Sequence, residues 1–262
     1  SPLSTTISLD QNNQWDSEFS INDMHLTSSG DMFVVGSLKG RSLPYHFESI
    51  GTISTSGSHT EKAFAGRLNS DGEWAWVMLS EFQDFTFFKS VAVDSSQGVF
   101  IGGGLDTGSS DSPQFIVYSS GNPSSPNSVT TPVENTSALS QLIIWLSEDG
   151  VIIDQWYGGD DPPTHGRISD LLIQGSELHA VGMLAASGSM SGTGTTITNS
   201  YDAAVGIMAK FSLSESQIDL RWAELLCDDE TSTCGGQYLV EKLAMDSSGN
   251  GDHFVLSGWF GG

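Results

Sequence analysis

The residues of this chain that could carry chemistry are histidines, acidic side chains and two cysteines. The six histidines are scattered, and none has a metal-binding spacing such as His-Glu-x-x-His. No Gly-x-Ser-x-Gly or Gly-x-Gly-x-x-Gly segment is present to expose a nucleophile or to hold a phosphate. The sequence therefore predicts a protein that is not an enzyme. A carbohydrate-active enzyme stays open as an alternative, because 32 acidic residues could include two carboxylates that face each other across a cleft.

Two acidic clusters could bind a calcium ion, because Ca²⁺ prefers oxygen ligands. Asp160 and Asp161 form the first cluster, and Asp228, Asp229 and Glu230 form the second. Each cluster lies in a connection between predicted structural units. No Asp-x-Asp-x-Asp-Gly loop accompanies them, so solvated loop charges are the alternative interpretation.

The two cysteines lie close together in the polar segment Cys-Asp-Asp-Glu-Thr-Ser-Thr-Cys, from Cys227 to Cys234. This spacing suits a local disulfide bond. A zinc site would need two further ligands, and no histidine lies nearby in the sequence. A disulfide predicts an oxidising compartment, and hence an extracellular or cell-surface location.

Aromatic residues outside the repeated segments are candidates for stacking on a ligand such as a glycan. They are Tyr45, Phe47, Phe115, Tyr118 and Tyr201, all in inserts between repeats. The alternative is that each ring fixes the conformation of its own loop.

The overall charge excludes one large class of partner. The formal net charge is −23, with 9 basic and 32 acidic residues, whereas nucleic-acid binding needs Lys and Arg to neutralise phosphate. No apolar run reaches the roughly 18 residues that a membrane helix needs, so no membrane insertion is expected. An acidic surface is also tolerated well in saline extracellular water.

Two segment types recur along the chain, and each predicts a β-hairpin. The first is a strand, an Asp/Ser/Gly turn and a strand that ends in glycine; its copies are 21–36, 89–103, 168–182 and 241–258. The second is a hairpin that carries a tryptophan; its copies are 62–79, 141–158 and 203–225, with a shorter copy at 5–18. Trp15, Trp76, Trp156 and Trp222 are expected to mark one equivalent position per unit.

These segments resemble a known repeat family. Residues 90–103 (SVAVDSSQGVFIGG) and 243–250 (LAMDSSGN) are similar to the first half of the SBBP-type β-propeller repeat. Residues 63–76 (AFAGRLNSDGEWAW) and 203–211 (AAVGIMAKF) are similar to its second half. The resemblance covers nearly the whole chain apart from the long inserts, and it implies a β-propeller without indicating a ligand.

The repeats predict an all-β chain that folds as one β-propeller domain over residues 1–262, with four blades of four antiparallel strands. The units span about 19–79, 88–158 and 167–226, and a fourth combines 238–262 with 1–18. The N- and C-terminal hairpins are expected to close this last blade within one molecule, which predicts a monomer. The alternative is strand exchange between copies, which would make the chain a structural or assembly subunit.

The long inserts locate the expected binding surface. In strand order A to D within a blade, the connections between strands B and C are long and differ from unit to unit, at 39–61, 105–140 and 185–202. Insertions on one face of a repeat protein often form its interaction surface. The sequence therefore predicts an extracellular binding or adhesion module whose unknown protein or glycan partner binds to this insert face.

Overall fold

All regular structure in the described part of the chain is β-strand, which confirms the all-β prediction. The computed structural model describes residues 7–9, 18–39, 44–54, 61–80, 86–94, 98–106, 114–119, 139–158, 166–214, 216–226, 238–246 and 253–260. Within these ranges, no helix is long and apolar enough to cross a membrane.

The described residues form twenty strands. They are β1 (Ile7–Leu9), β2 (Glu18–Leu26), β3 (Met32–Lys39), β4 (Pro44–Phe47), β5 (Gly51–Ser54), β6 (Glu61–Leu68), β7 (Trp74–Ser80), β8 (Thr86–Asp94), β9 (Gly98–Leu105), β10 (Phe115–Ser119), β11 (Ser140–Leu146), β12 (Ile152–Tyr157), β13 (Gly166–Gln174), β14 (Glu177–Leu184), β15 (Ser189–Gly192), β16 (Thr195–Thr198), β17 (Val205–Ser214), β18 (Gln217–Leu226), β19 (Tyr238–Asp246) and β20 (His253–Phe260).

Three successive segments each form an antiparallel meander of four strands. Sheet 1 has the order β2-β3-β6-β7, with β10 added outside β7; sheet 2 is β8-β9-β11-β12; sheet 3 is β13-β14-β17-β18. Strands β19 and β20 form a two-stranded unit, hairpin 4. Tight turns join the strands where glycine supplies a positive φ, as at Gly72 (82°) and Gly150 (81°).

The sheets pack face to face in chain order, and each interface contains its own apolar cluster. Side chains of sheets 1 and 2 form one cluster around Phe33 and Ile101. Sheets 2 and 3 form another around Phe100 and Leu220. Sheet 3 packs against hairpin 4 through a smaller cluster that includes Val240. Burial of these large side chains is the main stabilising contribution to the arrangement.

The first strands of sheets 1, 2 and 3 and of hairpin 4 each contain a β-bulge at the same place. The extra residues are Asn22, Lys89, Ser169 and Glu241. A glycine of the second strand lies beside each bulge, and these glycines are Gly36, Gly103, Gly182 and Gly258. A Cβ on any of them would collide with a backbone carbonyl oxygen of the first strand. This close approach is the physical reason for the glycine that ends each first-hairpin segment.

The N-terminal segment pairs differently from the expectation. Strand β1 pairs with β4, and β4 pairs with β5, giving a separate three-stranded sheet. Among the described strands, β20 pairs with β19 alone. Strand β1 therefore takes no part in the predicted closure of the last blade; most of the predicted N-terminal hairpin lies outside the described residues, so closure within one molecule stays a prediction. The reason for the pairing of β1 lies in the first insert: residues 44–54 fold back as a hairpin whose open edge takes up β1.

This three-stranded sheet covers the face of sheet 1 that points away from sheet 2. Tyr45, Phe47 and Ile53 pack there against side chains of sheet 1, including Phe64 and Trp74. Near the centre of the molecule the same face is left open. Met24 is 61% exposed, although the equivalent Val91, Leu171 and Leu243 of the other first strands are 5–7% exposed.

The recurring tryptophans do not all occupy one structural position. Trp76 and Trp222 each follow the bulged residue of a fourth strand, but in sheet 2 that place belongs to Asp154. Trp156 lies two residues further along, and Trp15 lies outside the described residues. The expectation of one equivalent tryptophan per unit was wrong for sheet 2, because the spacing in sequence does not reveal where a bulge shifts the register.

Candidate binding pocket at the first strands

The first strands β2, β8, β13 and β19 contact one another in chain order and line one common pocket, and equivalent residues form a linked set there. The residue after each bulge is Asp23, Ser90, Asp170 or Lys242. We call these four the inner set. They lie next to the bulges, so the same backbone irregularity positions each of them.

Three members of the inner set repeat one hydrogen bond to the following first strand. Asp23 Oδ2 accepts from the backbone N–H of Val91 at 3.0 Å. Ser90 Oγ accepts from Leu171 N–H at 3.1 Å, and Asp170 Oδ2 accepts from Leu243 N–H at 2.8 Å. Each oxygen thus provides an acceptor for a backbone N–H of the following first strand, and it joins one sheet to the next.

The inner set is also connected through its side chains. Ser90 Oγ lies 3.0 Å from Asp23 Oδ2 and 2.7 Å from Asp170 Oδ1. A hydroxyl carries one hydrogen, so Ser90 donates to one carboxylate at a time. Lys242 Nζ lies 3.5 Å from Asp170 Oδ1 and 3.9 Å from Asp23 Oδ1. Its ammonium group is the positive charge of this inner set.

A pocket lies directly over the bulges. Its volume is about 190 Å³, and its lining residues are Asn22, Lys89, Arg167, Ser169, Glu241 and Lys242. Every first strand contributes at least one of these residues. The pocket is therefore a place where sheets 1, 2 and 3 and hairpin 4 all present polar side chains.

The pocket lies toward the starts of the first strands. Arg167 is the second residue of β13, for example. In the antiparallel pair β2–β3, the start of β2 lies opposite the end of β3, since Glu18 pairs with Lys39. The connections between second and third strands leave from that side. The pocket is thus on the side of the predicted insert face.

A larger cleft of about 590 Å³ lies near the opposite ends of β2 and β8, lined by Asp31, Phe33 and Glu148 among others. Arg67 lies beside this cleft, and its guanidinium already has protein partners. Its guanidinium bonds Asp31 Oδ2 at 3.1 Å and the carbonyl oxygen of Glu148 at 3.0 Å, and it lies over the Phe33 ring. Because these contacts join sheet 1 to sheet 2, they have a structural role. We therefore regard the pocket over the bulges, which we call the central pocket, as the candidate site.

The five aromatic ligand candidates do not form a surface platform. Tyr45, Phe47, Phe115 and Tyr118 are all at most 8% exposed and belong to apolar clusters. Tyr201 is partly buried, in a turn where its backbone N–H bonds Asn199 Oδ1 at 2.9 Å. These positions favour the alternative in which the rings fix their own inserts. Burial also raises the pKa of Tyr45 to about 12.

The other predicted sites fall outside the described residues. These are the candidate calcium ligands Asp160, Asp161, Asp228, Asp229 and Glu230, and the predicted disulfide between Cys227 and Cys234. In the part of the chain that is described, no three His, Cys, Asp or Glu residues gather closely enough to hold a metal ion.

The pocket residues were not singled out from the sequence, although a signal for them is present. Each copy of the first segment has one of Asn22, Lys89, Ser169 and Glu241 at or next to its start. Each is followed by another polar or charged residue, namely a member of the inner set. Two adjacent polar residues break strand alternation, and they mark the bulge.

Comparisons with known proteins add no assignment. No family model matches the chain, and no curated protein matches it. The resemblance to the SBBP-type repeat therefore stays a prediction from the sequence.

Proposed function

We propose that the chain is a β-propeller with four blades, of which sheets 1, 2 and 3 and hairpin 4 are the parts described. Three facts support this proposal. The units pack in chain order, their first strands line one common pocket, and three members of the inner set make the same bond to the next unit. Radial repetition of four-stranded units is the defining pattern of the fold.

We further propose that the protein is a non-enzymatic extracellular binding module, and that its ligand binds in the central pocket. The observation that carries this proposal is that all four first strands line the pocket with polar or charged side chains. Binding sites of proteins are typically concave and have a few convergent polar groups. The extracellular setting is supported by the acidic composition and by the two closely spaced cysteines.

A pocket-blocking experiment tests this function. Ligand-observed NMR with a panel of sugars, sugar acids, amino acids and short peptides should identify compounds that bind the wild type. Ser169→Phe fills the pocket from below and Glu241→Trp covers its rim, so both should abolish that binding. Thr196→Phe, on the distant strand β16, is the control and should bind normally. A panel without any binder, or binding that survives both blocking variants, would refute the proposed site.

A second candidate function is assembly between copies through hairpin 4. In the described ranges, hairpin 4 has two strands where its counterparts have four. Val255 of β20 is 57% exposed, whereas the equivalent Phe33, Phe100 and His179 are at most 5% exposed. Exposed strands with apolar side chains readily pair with another chain. A second copy that adds a strand beside β20 would bury this surface.

Light scattering over a range of protein concentrations tests assembly. If hairpin 4 recruits a second copy, the average mass rises with concentration, and Val255→Lys suppresses the rise. Val151→Lys is a matched control, because Val151 is also 57% exposed but lies in a turn of sheet 2. A mass that stays monomeric at every concentration, or that falls equally in both variants, rules this function out.

A further inference from the structure

The central pocket concentrates positive charge in a strongly acidic protein. The chain has 9 basic residues and a net charge of −23, and three of those basic residues, Lys89, Arg167 and Lys242, line this one pocket. Glu241 is the single acidic residue in the lining. A local cationic surface of this kind attracts anions, and the acidic remainder of the protein repels them elsewhere.

The three cations differ in how far protein carboxylates neutralise them. Lys242 lies between Asp170 at 3.5 Å and Asp23 at 3.9 Å. Among the described residues, Arg167 forms an ion pair with Glu241 alone, at 3.9 Å; the Glu241 side chain is 62% exposed, so the pair is weak. Among the described residues, no carboxylate lies within ion-pair distance of Lys89, whose ammonium is 5.4 Å from the centre of the Phe87 ring. Lys89 and Arg167 therefore keep charge available for a ligand.

Within the described part of the chain, two buried polar atoms at the pocket have no hydrogen-bond partner. Ser169 is 8% exposed, and its Oγ makes no hydrogen bond. The Nε of Arg167 is likewise buried without an acceptor. Buried polar groups in folded proteins are nearly always hydrogen-bonded, so the unpaired hydroxyl and the unpaired guanidinium N–H are two donors at one pocket that are available to a ligand acceptor.

We propose that the central pocket binds the carboxylate group of a small hydroxylated ligand such as a sugar acid; this rests on the proposed binding function and specifies its ligand. Arg167 and Lys89 bind the carboxylate oxygens, and Ser169 Oγ donates to one of them. The guanidinium offers a planar pair of donors that matches a carboxylate.

The remaining lining residues define the rest of the ligand. Asn22 uses its side-chain N–H to bond the carbonyl oxygen of Phe88 at 2.6 Å, and its Oδ1 lies 3.5 Å from Ser20 Oγ. An amide oxygen has two lone pairs, so Oδ1 can still accept from a ligand hydroxyl. Glu241 at the rim repels a second negative group and accepts from hydroxyls. The pocket of about 190 Å³ is small and suits one such group with its neighbouring atoms. The expected ligand is thus a monocarboxylate with hydroxyl groups.

Isothermal titration with glucuronate and glucose tests this ligand class, because the two sugars differ in a carboxylate against a neutral hydroxymethyl group. Glucuronate should bind at least about tenfold more tightly than glucose, and added salt should weaken its binding. Lys89→Met and Arg167→Gln should each weaken glucuronate binding by about tenfold or more. Glu241→Gln should tighten it, which a purely structural role would not produce.

Lys210→Met is the control variant, since Lys210 is paired with Glu177 at 3.0 Å outside the pocket; it should leave the affinity unchanged. Thermal melting of each variant reports whether it is folded, and Lys89→Gln replaces Lys89→Met if the latter is not. Equal binding of glucose, or no effect of the Lys89 and Arg167 variants, would overturn the proposal of a carboxylate ligand but would not contradict the proposed binding function. Equal binding of inorganic phosphate at the same residues would also overturn it, in favour of a general oxyanion site. Failure of every compound in the panel would overturn the binding function itself.

Discussion

Lys242 Nζ lies 3.9 Å from Asp23 Oδ1, so the last and the first of the four central strands approach each other through an ion pair. Between the other neighbouring first strands, an oxygen of the inner set accepts a backbone N–H instead. Lysine has no acceptor, so it cannot repeat that bond at its own position. In the proposed propeller this ion pair lies at the junction between blades 4 and 1.

Replacement of Lys242 should have a small effect on stability. Its side chain is 55% exposed, and exposed ion pairs contribute about 0.2–1 kcal/mol. Lys242→Met should therefore lower the free energy of unfolding by no more than about 1 kcal/mol, with a smaller difference at high salt. Urea unfolding at two salt concentrations measures this. A loss of several kcal/mol would show that the junction depends on this lysine far more than its exposure indicates.

Ser90→Ala should be more damaging, because Ser90 is fully buried and its hydroxyl connects β2, β8 and β13. The variant removes the acceptor of Leu171 N–H and the donor to the two carboxylates. A buried donor left unpaired costs about 1–3 kcal/mol. Urea unfolding should show a loss in this range, while Ser29→Ala in an exposed turn should change stability little. Equal effects of the two variants would contradict the linking role of Ser90.

Gly182→Ala tests the close contact at a bulge. A methyl group there would collide with the carbonyl oxygen of Arg167, and such overpacking costs about 1–3 kcal/mol or more. Gly194→Ala is the comparison, since Gly194 has a φ of 76° but no atom within 4 Å of an added Cβ. It should cost only about 1 kcal/mol of backbone strain. Thermal unfolding should therefore rank Gly182→Ala as the less stable variant, and the reverse order would exclude the steric explanation.

Because Tyr45 is buried, we expect the free energy of unfolding to fall at alkaline pH. Burial raises its pKa from 10.0 to about 12 in the folded protein. Above pH 10 the unfolded chain releases the phenol proton while the folded protein keeps it, so the free energy of unfolding falls as the pH rises from 10 toward 12. Below pH 10 this contribution is fully present. Tyr45→Phe should flatten the fall, as measured by urea unfolding across this range, and a variant that declines as steeply as the wild type would contradict the assignment.

The hairpins could be predicted from the sequence because their determinants are local. Residues such as Asp71 and Gly72 fix a turn, and the apolar residues on either side fix the two strands. The glycine at the end of each first segment was visible as well. Its cause, a carbonyl oxygen in contact across a bulge, needed the register of two strands.

Two features could not be derived from the sequence in the same way: the strand with which β1 pairs, and the existence of the central pocket. Strand β1 has only three residues, and a partner for so short a strand depends on which edge is open, here that of β4. The pocket residues come from four segments far apart in the chain, and their meeting depends on how the sheets pack. The aromatic residues of the inserts were candidates because of their residue type alone. In the structure, the Tyr45 and Phe47 rings are buried and stabilise the fold.

Strand β10 has a consequence for how the protein can be divided. It belongs to the insert that follows β9 of sheet 2, yet it pairs along β7 of sheet 1, from Phe115 opposite Ser80 to Ser119 opposite Trp76. A fragment that stops after β7 would lack its outermost strand, and a fragment that starts at β8 would carry that strand without its partner. Boundaries drawn by sequence repeat therefore do not coincide with autonomous folding units, and the smallest stable piece that includes sheet 1 must extend at least through Ser119.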